Sequence, residues 1–357
     1  MEIAYPFAKV FTDRTKELNV FFCHDSQHST FKQIGERLDM KELLNMNHIG
    51  NVIKEYRIML HLSRKKLSED ICTEKYLYMI EKGDRTPSTE VMRLLGDRMG
   101  VDLFKYYEYL DCTDPIKVCS FVEGFYRHRR ENNFNAVLKD TEEASHLQDF
   151  HNAPWKHEIK INHLMIKVFT ENGSRQAISI LINTIAEIKQ ERISKIALAS
   201  LYVLLSTCYQ MARDIDNARN NVALACEIIN GKHEMEKYVY ITTVVKINKI
   251  TMHYLAEEFD AVIEHALALI EYEGEMRYKG YSDHASFYLA FAYFQSGQEE
   301  KGIQWFYKAL GMMLLNPNTA DMYYLARYEI FNVMIQDQRI SKGFVDEFKN
   351  EYKLILM

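Results

Sequence analysis

The chain has 357 residues and a formal net charge of −6 at pH 7, with 47% apolar and 26% charged residues. This length allows two or three units with a large core, and the negative total excludes a molecule that is basic overall. Only 14 Gly and 5 Pro stand against many Leu, Ile, Ala, Glu and Lys, which favours helices over sheets.

Targeting signals and disulfides are not predicted. No segment approaches the roughly 18 uninterrupted apolar residues of a membrane span, and the start, MEIAYPFAKVFTDR, lacks a basic stretch followed by an apolar run. The six cysteines form no CxxC pair, which is typical of free thiols in a reducing compartment. We therefore expect a cytoplasmic protein without a membrane contact.

Residues 1–48 form an amino-terminal extension whose role the sequence does not indicate. An amphipathic helix is predicted between Phe31 and Leu44. Cys23, His24 and His28 are possible metal ligands, but a fourth ligand is missing and the spacing matches no known site. A polar loop is the favoured interpretation, and we expect neither a metal nor a cofactor.

Residues 49–103 are predicted to form a compact bundle of four or five short helices. Ser63 is a good N-cap for the second helix and Thr73 for the third, which Gly83 ends, and Pro87 starts a fourth with Ser88 and Thr89 at its entry. The inner apolar residues should form the core and contact no ligand: Leu67, Leu77, Ile80 and Leu94. Ten Lys/Arg against nine Asp/Glu give this region a balance of only +1.

The order of residues in this bundle resembles the helix-turn-helix of the Cro/phage-repressor type. The matching positions are Ile49-Gly50, Ile53-Lys54, Arg57, Leu62-Ser63, Leu67, Ile80-Glu81, Gly83, Pro87-Ser88, Leu94 and Gly100-Val101, and IEKGDRTPS is the most specific part. The resemblance implies that Arg57 and Glu81 form a structural ion pair between the first and third helices.

The resemblance also implies that the third helix enters the major groove of DNA. The residues expected to face bases are Thr73, Glu74, Lys75 and Met79. Those expected to bind phosphates are Arg64, Lys65, Lys82 and Arg85, with Arg64 standing where the family usually has Gln. The competing interpretation, that Arg64, Lys65 and Lys66 only solvate an exposed helix, is disfavoured inside a complete motif.

Residues 104–114 are predicted to be a linker, and residues 115–357 a repeat domain. Ala177, Ala218, Ala261 and Gly302 recur at separations of 41, 43 and 41 residues. The two best copies, LSTCYQMARDIDNARNNVALA and LAFAYFQSGQEEKGIQWFYKAL, resemble tetratricopeptide repeats, with a longer unit than that family's usual length of about 34. The residues after Asn318 are interpreted as a terminal cap.

The predicted fold is therefore all-α: an N-terminal helix-turn-helix bundle followed by a right-handed α-solenoid of tetratricopeptide-like helix pairs. This combination resembles the peptide-pheromone-responsive transcription regulators of Gram-positive bacteria, the Rgg, PlcR, NprR and PrgX group. The resemblance implies a homodimer that binds a double-stranded, palindromic DNA operator and is controlled by a short linear oligopeptide in quorum sensing. Whether the peptide promotes or releases DNA binding is not readable from the sequence.

The concave face of such a solenoid suits an extended peptide. Counting along each repeat places these residues on that face: Asn162, Ile166, Val203, Thr207, Gln210, Lys246, Ile250, His253, Phe287, Phe291 and Phe294. Asn162, Gln210 and Lys246 are candidates for peptide backbone or carboxylate contacts, and the phenylalanines for apolar pockets. The competing interpretation is that phenylalanines at helical spacing belong to the core.

Two other classes of function were weighed. The first is a DNA-binding adaptor whose repeats hold a protein partner and no pheromone. The second is an enzyme, which is not predicted because GxSxG, HExxH, P-loop and dinucleotide Gly-rich motifs are absent from the sequence. Carboxylate pairs such as Glu142-Glu143 have the character of solvated helix faces.

Overall fold

The computed structural model describes residues 48–131, 133–170, 174–191, 193–231, 236–278 and 280–314. The predicted extension, with Cys23, His24 and His28, and the predicted cap after Asn318 lie outside these residues. The described part of the chain is built from α-helices and two short 3-10 helices, without a strand, which confirms the all-α prediction. None of its helices is both long and apolar enough to cross a lipid bilayer.

The described residues group into two compact units. The first, here called the head unit, holds residues 48–125 and 140–156, and the second, the repeat unit, holds residues 126–139 and 157–314, apart from the undescribed gaps. The predicted domain boundaries at 48, 103 and 114 stay predictions.

The head unit begins with four helices: α1 Ile49–Met59, α2 Arg64–Ser68, α3 Glu74–Lys82 and α4 Thr89–Met99. Leu67, Leu77 and Ile80 are fully buried, as predicted. The inner face of α4 differs from the prediction, because Met92 and Leu95 are buried there while Leu94 is half-buried. Two adjacent leucines lie about 100° apart on a helix, and only packing decides which one turns inward.

The predicted helix ends are formed by the side chains expected. The Ser63 hydroxyl accepts a hydrogen bond from the Lys66 amide at 3.1 Å, and Ser88 accepts one from the Val91 amide at 3.3 Å. Ser88, and not Pro87, is the residue that caps α4, and Pro87 is buried just before it. Short helices have few internal hydrogen bonds, so these caps contribute a large share of their stability.

Residues 104–114 are folded within the head unit. They form a 3-10 helix, Phe104–Tyr109, whose Tyr106 and Tyr109 are buried. The Asp149 carboxylate then accepts hydrogen bonds from the Thr113 amide at 2.8 Å and the Asp114 amide at 3.2 Å. Because Tyr106 contacts Tyr56 of α1 and Tyr109 stacks on Trp155, the segment is part of the core of the head unit.

Two further helices are α5 Pro115–Arg130 and α6 Phe134–Ser145, and the second 3-10 helix is Gln148–His151. Four helix pairs follow: α7 Lys156–Thr170 with α8 Ser174–Ile188, α9 Lys195–Met211 with α10 Ile215–Ile228, α11 Glu236–Leu255 with α12 Phe259–Glu275, and α13 Ser282–Gln295 with α14 Glu299–Leu314. The predicted helix-pair repeats are confirmed.

The register of the repeat differs from the prediction at one position. The fourth residue of the second helix is a buried small or branched residue in each pair: Ala177, Ala218, Val262 and Gly302. The predicted Ala261 is half-buried one position earlier. The last three pairs share a three-residue turn whose middle residue has a positive φ, at Arg213, Glu257 and Gly297. The position of this turn determines which residue of the second helix faces inward, and the buried residue lies at a constant distance of five residues after the middle of the turn.

Candidate functional site

Helix α3 is held by its ends and its inner side. The Thr73 hydroxyl accepts a hydrogen bond from the Tyr76 amide at 3.2 Å, and Gly83 ends the helix with a φ of +82°, a conformation that glycine adopts without a Cβ penalty. Leu77 and Ile80 are fully buried. The side opposite them is presented to solvent on a short, fixed helix.

The predicted ion pair between α1 and α3 is present. Arg57 donates from Nε to Glu81 Oε1 at 2.5 Å and from Nη2 to Oε2 at 3.1 Å, and Glu81 is buried. Arg64 adds a third contact that the sequence did not indicate, from Nε to Glu81 Oε2 at 2.7 Å. One buried carboxylate therefore ties three helices of the head unit together.

The residues predicted to contact DNA differ in exposure. Glu74, Lys75 and Thr73 are exposed on the first turn of α3, and Met79 is half-buried. Among the cations, Lys65, Lys82 and Arg85 are exposed, and Arg64 is 34% exposed while bonded to Glu81. Their roles in DNA binding stay predictions.

The repeat unit contains a cavity of about 240 Å³. Its walls come mainly from the first helices of successive pairs: α7 contributes Met165 and Phe169, α9 Val203 and Thr207, and α11 Val244 and Thr251. Most of these side chains are apolar, so a ligand here would bury apolar surface.

Neutral polar groups cluster on one wall. The Gln210 amide donates to Asn248 Oδ1 at 3.1 Å and to the Asn248 carbonyl at 3.2 Å. The Asn248 amide donates to Thr207 Oγ1 at 2.8 Å. A side-chain amide has both donors and acceptors, so this cluster could exchange its internal hydrogen bonds for those of a peptide backbone.

Arg129, a charged residue of the cavity wall, has its charge neutralised by a buried partner. Arg129 donates from Nη2 to Glu158 Oε2 at 2.9 Å and from Nε to Asn162 Oδ1 at 2.7 Å, and all three residues are buried. Burial also raises the pKa of Tyr240 in the same wall, so its hydroxyl stays neutral. The cavity therefore favours an uncharged ligand segment over a strongly charged one.

The cavity contains only some of the predicted peptide contacts. Val203, Thr207 and Gln210 line it, and Asn162 lies directly behind Arg129. Three others point to different neighbours: Lys246 lies over the Tyr272 ring at 5.3 Å, His253 Nδ1 lies 2.6 Å from Glu258 Oε2, and Ile250 is fully buried in an apolar cluster.

The predicted phenylalanines are all nearly buried. The Phe287 ring lies 5.3 Å from that of Phe306, and Phe294 packs against Gly302, so both contact α14. Phe291 lies 6.1 Å from Phe287, and Ile166 is half-buried outside the cavity wall. Their contact with a peptide stays a prediction.

The cavity residues that sequence reasoning missed include Arg129, Asn248, Thr251 and Tyr288. No distinctive signal in the sequence marks this face, because Asn248 and Thr251 are only two of several polar residues of α11, which also has Lys249 and His253. The prediction chose Lys246, Ile250 and His253, a face turned away from this one. Polar and apolar residues are mixed on all sides of α11, so its periodicity alone does not show which face is inner.

Comparisons with known proteins agree with the two-part architecture. A family model described as helix-turn-helix matches residues 53–105. A comparison with curated proteins found no match.

Among solved structures, the chain is similar to Bacillus thuringiensis PlcR in complex with the peptide PapR7 and DNA. The two chains are 14% identical, the match covers 78% of this chain and 98% of that chain, and the TM-score is 0.60. It also matches S. thermophilus ComR in complex with DNA and its signalling peptide ComS, with 13% identity, 79% and 98% coverage, and a TM-score of 0.48. The resemblance drawn from the residues is thus confirmed as a fold: the chain shares the fold of PlcR, and residues 53–105 match the helix-turn-helix family.

Proposed function

We propose that the protein is a sequence-specific DNA-binding transcription regulator whose activity is controlled by a short signalling peptide held in the repeat unit. The observation that carries the DNA part is the geometry of α3. Its inner side is locked by Leu77, Ile80 and Glu81, and its exposed side presents Glu74 and Lys75, which can hydrogen-bond to base edges. The helix-turn-helix match over residues 53–105 supports this assignment and favours DNA binding over catalysis.

The cavity supports control by a peptide. A volume of about 240 Å³ suits a few apolar side chains of a short chain, and the Gln210 and Asn248 amides offer donors and acceptors for backbone groups. PlcR, which shares the fold, was crystallised with a peptide and DNA.

An adaptor whose repeats bind a folded protein is the alternative. The cavity is lined on several sides by the first helices of successive pairs. This favours a ligand that enters the repeat unit over one that rests on its surface. We further propose a cytoplasmic homodimer that binds a palindromic operator, because two copies of one reading helix recognise two related half-sites.

The DNA part is tested with two variants of the exposed cations. Lys75→Ala should lower specific binding and relax the sequence preference, because Lys75 is assigned to a base edge. Arg85→Ala should weaken binding to every sequence and reduce its salt dependence, because a phosphate contact carries no sequence information. Both are measured by titration of DNA selected from a random duplex library. Unchanged binding by both folded variants would refute the assignment of α3.

The peptide part is tested by filling the cavity. Val244→Trp places a large ring in the cavity wall and should abolish binding of heptapeptides selected from a displayed random library. Ile182→Trp is the matched control, because Ile182 is 45% exposed on α8. Selection of a folded protein in place of any peptide would favour the adaptor.

A further inference from the structure

Tyr78 is a large aromatic residue on the exposed side of α3. It is 46% exposed. It lies four residues after Glu74 and four before Lys82, so the three side chains share one face of the helix. Met79, which the sequence suggested as a base contact, is half-buried beside this face. The exposed ring therefore shares its face with Glu74, one of the residues expected to face bases.

The ring is held in place from α2. The Arg64 guanidinium carbon lies 5.2 Å from the centroid of the Tyr78 ring, within the range of a cation–π contact. Arg64 is itself fixed by its hydrogen bond to Glu81, which Arg57 also binds. A surface tyrosine normally loses side-chain freedom when it binds a partner. Here part of that loss has already occurred in the free protein.

Tyr76 provides the contrast on the same helix. It is half-buried, and its hydroxyl donates to the Thr86 carbonyl at 3.4 Å, so it has a structural partner. Within the part of the chain that the structure describes, the Tyr78 hydroxyl makes no hydrogen bond. An exposed aromatic ring that is held in place by a neighbouring side chain points to an apolar partner group.

We propose that Tyr78 reads sequence by packing its ring against the C5-methyl group of a thymine in the major groove, with Arg64 as the positioning residue that holds the ring. The inference rests on the proposed DNA-binding function and names a specificity determinant within it. Thymine is the base that presents a methyl group in that groove. Glu74 and Lys75 would then supply hydrogen bonds to neighbouring base pairs, where Glu can accept from cytosine and Lys can donate to guanine.

The test separates the methyl group from the rest of the base. The full chain selects its site from a random duplex library, and each thymine of that site is then replaced by deoxyuridine, which differs only by the methyl group. At one thymine the parent should lose about fourfold in affinity, the value expected for one methyl group removed from an apolar contact. Tyr78→Ala should bind both duplexes equally, and Tyr78→Phe should keep the preference.

Two further variants distinguish positioning from charge. Arg64→Lys keeps the positive charge but loses the planar guanidinium, so the methyl preference should fall while the salt dependence of binding is unchanged. Tyr107→Ala is the control, because Tyr107 is a tyrosine of the same unit with 48% exposure and lies outside α3. It should keep the parent's preference.

The outcomes separate this inference from the function on which it rests. If the parent selects a site but methyl removal affects the parent and Tyr78→Ala equally at every thymine, Tyr78 does not read thymine and the regulator proposal stands. If the parent selects no sequence from the library, sequence-specific DNA binding and the role of Tyr78 are both refuted.

Discussion

The head unit and the repeat unit are stabilised in different ways. In the head unit, helices as short as the 5 residues of α2 and the 9 of α3 are held by side-chain caps and by the carboxylate of Glu81. In the repeat unit, α11 reaches 20 residues, and residues 201–206 of α9 are buried without a break. Side-chain caps and a buried ion pair therefore fix the short helices of the first unit, whereas the long helices of the second are held mainly by close apolar packing. Matched substitutions in the two units should therefore have different effects.

The largest effect is expected from Glu81→Ala. It leaves Arg57, whose side chain is 11% exposed, without its carboxylate, and should lower the free energy of unfolding of the head unit by about 3 kcal/mol. Amide hydrogen exchange of α1 to α4 under denaturant measures this. Arg93→Ala is the control, since the Arg93–Asp97 pair is 58% and 65% exposed and should contribute less than about 0.5 kcal/mol. Equal effects would contradict the assigned role of Glu81.

The repeat unit should be most sensitive to added volume. A Cβ at Gly302 would lie 2.6 Å from Phe294 Cδ1, so Gly302→Val should destabilise this unit by about 2 kcal/mol through overpacking. A Cβ at Gly274, inside α12, would meet nothing within 4 Å. Gly274→Ala should therefore stabilise the unit by about 0.5 kcal/mol. Thermal unfolding of both variants checks the sign, and destabilisation by both would refute the packing argument.

Loss of a single cap should have an intermediate to small effect. Ser88→Ala removes the acceptor for the Val91 amide and should lower the stability of the head unit by about 1 kcal/mol. Ser88→Gly should lower it by only a few tenths of that amount, because glycine is tolerated at an N-cap. Chemical denaturation of the two variants makes the comparison. A larger loss for glycine would show that the hydroxyl is not the stabilising group.

The smallest effect is a pH dependence at His48. Burial lowers the pKa of this imidazole, and Asp84 opposes the shift only in part. The folded head unit binds this proton less readily than the unfolded chain, so its stability is full above about pH 6.5 and decreases as the pH falls through the lowered folded pKa. His48→Gln should flatten this dependence. The denaturation midpoint of the head unit, followed by exchange of its amides, is measured between neutral and mildly acidic pH. If His48→Gln leaves the slope of this midpoint against pH unchanged, His48 is not the cause.

The head unit was largely predictable because its signals are local. Ser63 and Thr73 cap helices through amides three residues away, and Gly83 ends α3 in the conformation that glycine favours. The Arg57–Glu81 pair followed from the resemblance and is present. Arg64 was not foreseen as a partner of Glu81, because the geometry that brings α2 against α3 is not a property of either helix alone.

The sequence by itself determined the all-α class, the helix-turn-helix and the helix pairs, because caps, turns and helical periodicity depend on residues a few positions apart. Only the tertiary structure decided that Asn248 lines the cavity while Ile250 lies in the core, and that Val262, not Ala261, is the buried packing residue. A helix with polar and apolar residues mixed on all sides, such as α11, does not indicate its inner face. In the same way, only the tertiary structure places the Arg64 guanidinium over the exposed ring of Tyr78.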